Sequence, residues 1–123
     1  MTTFTREDYE MAAKAYWGAE VDDVMSFYWD DGEQCIVYIH ADNQDHNGQD
    51  VELLWNPPED AGETLRLAVK LGVHAGYNEF TGCGFASWGR GTCGLNEYGP
   101  DDPCATTCRA IFRAAIAIGR AMP

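Results

Sequence analysis

Residues able to do chemistry cluster in two places. The first is the run Thr81 to Gly94, TGCGFASWGRGTCG, which holds five glycines, Trp88 and Arg90. Such a run is either a cradle for a phosphate or a tight hairpin. A dinucleotide fingerprint needs a third glycine where Ser87 stands, a P-loop needs Gly-Lys-Ser or Gly-Lys-Thr, and both need a helix to follow. The glycines therefore read as turns and close backbone approaches. Trp88 and Arg90 are two apart, which on a strand places them on one side, where a ring face and a guanidinium suit a base and a phosphate. Arg109 and Arg113 add positive charge from the last helical segment, so these four residues form the candidate ligand site.

The second cluster is acidic. The chain has 20 Asp and Glu against 8 Lys and Arg, a net of -12. Residues 1–60 carry 15 acids and 2 bases, a net of -13, whereas residues 61–123 carry 5 acids and 6 bases, a net of +1. Direct binding of nucleic acid depends on cations meeting phosphates, so the first half argues against it. An acidic surface instead suits a basic partner, with Asp42, Asp45 and Asp50 its densest part and Asp22, Asp23, Asp30 and Asp31 beside them.

Other chemistry is poorly supported. His40, Asp42, Asp45 and His46 flank an Asn-Gly turn without the spacing of a known metal motif, and the remaining histidine is His74. The five cysteines, Cys35, Cys83, Cys93, Cys104 and Cys108, are odd in number, and the gap from Cys83 to Cys93 is too wide for a zinc knuckle, so reduced thiols are expected rather than disulfides or zinc. A nucleophile elbow is missing, and an enzyme acting through Cys83 or Cys93 with a histidine ranks last. The reading calls for no cofactor, no metal and no catalytic residue.

The elements that must position these residues follow from periodicity. Thr5 with Asp8 caps a first helix, stapled by Phe4 and Tyr9, with Tyr9, Ala12, Ala13, Tyr16 and Trp17 on its buried face and Gly18 at its end. VMSFYW, CIVYIHA and VELLW read as a three-stranded meander. Over residues 55–73, Asn56 is the expected cap and Pro57 the first position of a second helix, with Leu65, Leu67, Ala68, Val69 and Leu71 inside. VHAGYNEF and GFASWGRG read as a fourth and fifth strand, LNEYGPDD as a loop. A last helix begins at Asp102 and Pro103 and buries Cys104, Cys108, Ile111, Ala115, Ile118 and Met122. The order α-β-β-β-α-β-β-α gives a single domain over residues 1–123, α+β in class, with one antiparallel sheet of about five strands and three amphipathic helices in an α-β-α sandwich.

WNPPEDAGETLRLAVKLGV and DDPCATTCRAIFRAAIAIGRAM carry a resemblance. Through Trp55, Pro57, Asp60, Leu65, Leu67, Ala68, Arg109, Ala110, Ile111, Ala114 and Ala115, about a third of the chain resembles small phage and prophage proteins of the α-β-α sandwich type and the related lambdoid NinX-type accessory proteins. The resemblance implies a phage accessory protein with no assigned enzymatic activity, working in the cytoplasm of the infected bacterium. The expected function is neutralisation of a bacterial defence component by sequestering an anionic nucleotide second messenger. The alternative is an acidic inhibitor that mimics nucleic acid on a host complex such as a CRISPR effector. A homo-oligomer is expected, as is no association with membrane: no apolar run approaches the roughly 20 residues that cross a bilayer.

Overall fold

The computed structural model describes residues 4–18, 24–44, 50–99 and 102–122; for residues 24–27, 39–44 and 50–52 it describes the backbone alone. The chain is α+β. Helix α1 spans Arg6–Trp17, and its start is a complete capping box, Thr5 Oγ1 accepting from the Asp8 amide while the Asp8 carboxylate accepts from the Thr5 amide. Gly18, at φ 53°, ends it.

Strands β1 (Val24–Asp30), β2 (Cys35–Gln44) and β3 (Asp50–Trp55) form an antiparallel meander. The Asp30 carboxylate closes the first turn by accepting from the amides of Gly32 and Glu33. Cross-strand partners share a face, so Trp29, Ile36 and Trp55 stand in one row. Trp55 is the centre of an aromatic cluster, with Tyr9, Tyr16, Trp17 and Phe112 at ring separations of 4.9–6.4 Å. Burial pushes the Tyr9 phenol well above its ordinary pKa, and as a neutral donor it bonds Asn56 Oδ1 at 2.5 Å.

Asn56 thus serves the core and not the helix, which corrects the expected start of the second helix. A 3-10 turn occupies Pro57–Glu59, and α2 runs from Ala61 to Leu71, capped by Asp60, whose side chain accepts from the Glu63 amide. Gly72 ends α2 in the left-handed conformation, φ 68°. The buried face also differs from expectation. Thr64, Leu67 and Ala68 point inward with Leu71 half-buried, an i, i+3, i+4, i+7 stripe, while Leu65 and Val69 are 65% and 73% exposed. Thr64 can be buried because its hydroxyl donates to the Pro57 carbonyl.

Strands β4 (His74–Asn78), β5 (Cys83–Trp88) and β6 (Cys93–Tyr98) form a second antiparallel meander, order β4-β5-β6. Two three-stranded sheets therefore replace the single sheet of five, and β6 lies where a loop was expected. Helix α3, Pro103–Ala121, is capped by Asp102 and packs along β5 and against α1 and α2. Two close approaches fix it. A Cβ at Gly84 would lie 3.0 Å from the Thr106 carbonyl oxygen, and one at Gly119 would run into the Met11 carbonyl of α1. Enclosed on several sides, α3 buries Thr106, Ala110, Phe112, Ala114 and Ile116 as well as Cys108, Ile111 and Ala115. Cys104, expected on the buried stripe, is exposed beside the helix start, and Ile118 and Met122 are half-buried.

Candidate functional site

The candidate ligand residues do not share a surface. Strand β5 ends at Trp88, and residues 89–92 form the turn to β6 with Gly89, Arg90 and Gly91 all at positive φ. Trp88 pairs with Cys93, lies on the β5 face that carries Ala86 and Gly84 toward α3, and is half-buried against the core. Arg90 is exposed at the turn. The two-residue spacing thus fails to align them, because it crosses the end of the strand. A non-glycine residue at φ 58° is uncommon, and the Thr92 hydroxyl donating to the Gly89 carbonyl at 2.6 Å holds the turn.

Arg109 and Arg113 meet, but on a carboxylate. Glu97 of β6 is 6% exposed and receives Arg109 Nε at 3.4 Å and Arg113 Nε at 2.5 Å. Arg109 also reaches Thr106 Oγ1 at 3.3 Å, and the Arg113 guanidinium lies 4.9 Å from the centre of the Phe4 ring. A buried carboxylate needs such partners, and two arginines from successive turns of α3 supply them. Sequence reasoning missed Glu97 because its segment read as a loop. The other cations of this half are engaged too: Arg66 with Glu63 at 3.2 Å, Lys70 over the Tyr16 ring at 4.8 Å, and Arg120 with Asp8 at 3.3 Å. Among the described residues Arg90 alone of the six has no such contact.

The acidic half is partly described. Asp42 lies on β2 and Asp50 opens β3, with Gln44 opposite Asp50 in register, so both are carried toward the end of one hairpin arm. Asp45 lies outside the described residues, as do His46, Asp22 and Asp23. Around the β1–β2 turn Asp31 and Glu33 are exposed, as are Glu7 on α1 and Glu59 on the 3-10 turn. Burial, with Glu33 and Asp30 nearby, holds the Cys35 thiol protonated beyond its usual range.

A further feature was not foreseen. Where the starts of α2 and α3 meet β4, an open apolar groove of about 330 Å³ is lined by Thr64, Leu65, Tyr77, Cys104, Cys108 and Ile111, among others. Burial pushes the Cys108 thiol up, a hydrogen bond with Thr64 works against that, and Cys104 and Asp102 push in the same direction as burial. Among the described residues no group of three or more His, Cys, Asp or Glu could hold a metal ion, and no helix is long and apolar enough to cross a membrane. The Leu65–Val69 pair at i, i+4 was the available signal for this surface, though it read as core. Comparison with protein-family models, with curated proteins and with solved structures finds no match.

Proposed function

We propose that this chain is a non-enzymatic accessory protein, of the phage type that its helix segments resemble, and that it neutralises a bacterial defence component by occupying a basic, nucleic-acid-binding surface with its acidic half. The observation that carries this reading is the internal use of the cations. Arg66, Arg109, Arg113 and Arg120 sit on carboxylates and Lys70 on a ring, whereas Glu7, Asp31, Glu33 and Glu59 present charge to solvent. A polyanionic face raises the encounter rate with a basic groove and excludes other polyanions. The nucleotide-sequestering version needs Arg109 and Arg113 to leave Glu97 for a phosphate, and burial of Glu97 opposes that exchange.

The test is protection of phage plating on hosts that each carry one defence system, paired with native mass spectrometry of the protein mixed with linear and cyclic nucleotides. Neutralising Asp31, Glu33 and Glu59, or Asp42, Asp45 and Asp50, to Asn and Gln is expected to abolish protection with the fold intact. A nucleotide mass retained by the wild type and lost in Trp88→Ala with Arg90→Ala would replace this reading by sequestration.

A further inference from the structure

The sheet β4-β5-β6 has a covered face and an open one. Helix α3 packs on the first, meeting Gly84 of β5 and Glu97 of β6. Alternation puts Phe85 of β5 and Tyr98 of β6 on the second, where they are 41% and 64% exposed. Both rings are held across a neighbouring strand. The outer end of the Phe85 ring fills the space over its partner Gly76 on β4, its Cζ 2.8 Å from where a Cβ would lie, so a side chain at Gly76 would lift it. The Tyr98 hydroxyl is hydrogen-bonded with the thiol of Cys83, its partner on β5, and Cys83 is buried although its face is open. Polar groups stand between and beside the rings. Asn96 lies opposite Phe85, and Ser87 follows it on β5; among the described residues neither the Asn96 amide nor the Ser87 hydroxyl makes a hydrogen bond. No Asp, Glu, Lys or Arg occupies a position of this face on any of the three strands.

We propose that this open face binds a neutral saccharide, the two rings packing on the C–H faces of sugar units while Asn96 and Ser87 pair with hydroxyls. The ring faces are weakly negative and attract polarised C–H groups. Phe85 and Tyr98 are diagonal neighbours, roughly 7–8 Å apart, so units of one short chain reach both. The polar groups choose among occupants. An apolar partner would bury the Asn96 amide and the Ser87 hydroxyl unpaired, which is costly, whereas a polyol offers each a donor and an acceptor. A single strand of nucleic acid also stacks on rings, but it is held by cations along its backbone, and this face has none of Lys or Arg. The site uses no residue of the acidic half, so it stands or falls apart from the function proposed above.

Amide-resolved NMR of the full chain tests it, with neutral hexasaccharides of glucose, mannose, galactose, xylose and N-acetylglucosamine as probes at ~10 mM, enough to populate complexes of millimolar Kd. At least one is expected to move the signals of Gly76, Phe85, Ser87, Asn96 and Tyr98 together while those of α1 stay in place. Tyr98→Ala and Phe85→Ala should each weaken that binding by at least roughly tenfold, as loss of a stacked ring does. Asn96→Ala changes an exposed side chain without touching a ring and should weaken it as well; circular dichroism checks that all three fold. Silence with every saccharide, shifts confined to another surface, or binding unchanged in Tyr98→Ala and Asn96→Ala would overturn the proposal. So would an oligothymidylate that moves the same signals where the sugars do not, or signals of this face that shift with protein concentration alone, which would give the surface to a second copy.

Discussion

Glu97 decides what the last arginines do. Its carboxylate is shut from solvent between Arg109 and Arg113, and its presence converts a stripe of helix cations into a structural cross-link between α3 and β6. Breaking such a pair costs more than forming it contributes, because the surviving charge stays in a poor environment. Glu97→Gln is therefore expected to lower unfolding stability by about 3–5 kcal/mol, a large share of the roughly 5–15 kcal/mol that a domain has. Replacing Glu97 by Leu together with Arg109 by Met removes the two buried charges, leaves only the half-exposed Arg113 without its partner, and should recover much of that loss. Urea unfolding of the three proteins checks it: a Glu97→Gln variant within about 0.5 kcal/mol of wild type, the ordinary range for surface changes, would mean that Glu97 is not the counter-charge it is taken to be here.

At the scale of elements, caps and helix faces were legible to different degrees. The Thr5–Asp8 box and the Asp102–Pro103 start stand as the sequence implies, because both depend only on residues three apart. The start of α2 was misplaced by four residues, since Asn56 and Asp60 are both good caps and only the tertiary contact of Asn56 with Tyr9 chooses between them. Strand β6 was illegible in CGLNEY, whose Gly, Asn and Glu are poor strand formers; pairing with β5 and the inward pair Leu95 and Glu97 hold it in place. The candidate site suffered from the same blindness to partners, as Trp88 and Arg90 were placed on one strand that stops between them. The α1–α3 crossing was also unreadable, though Gly119 sits in its middle. There the backbones meet with no room for a methyl group, the carbon of the Met11 carbonyl lying 2.7 Å from where a Cβ would stand. On an open helix Gly→Ala stabilises by roughly 1 kcal/mol. At Gly119 the sign is expected to reverse, to a loss of about 1–3 kcal/mol from overpacking, read as a lower thermal midpoint. A midpoint raised by Gly119→Ala would show that the helices can part at no cost.

Across the whole molecule, charge is sorted by function of place. The second half neutralises itself through Glu63–Arg66 and the Glu97 pairs, and Arg120 reaches into the first half to hold Asp8. What remains is a surplus of carboxylates on residues 1–60, whose mutual repulsion salt screens beyond a Debye length of about 10 Å at 0.1 M. That repulsion acts against the folded state and is relieved by added salt, whereas the buried Glu97 pairs are screened little. The thermal midpoint is accordingly expected to rise between ~0.01 and ~0.5 M NaCl, spanning Debye lengths of about 30 to 4 Å, and to rise less when Asp31, Glu33 and Glu59 are neutralised. A midpoint that falls with salt would mean that exposed ion pairs, not the acidic surplus, dominate the electrostatics of the fold. It would also remove the physical ground for an acidic face held ready for a basic partner, since carboxylates already compensated within the chain have no charge left to offer one.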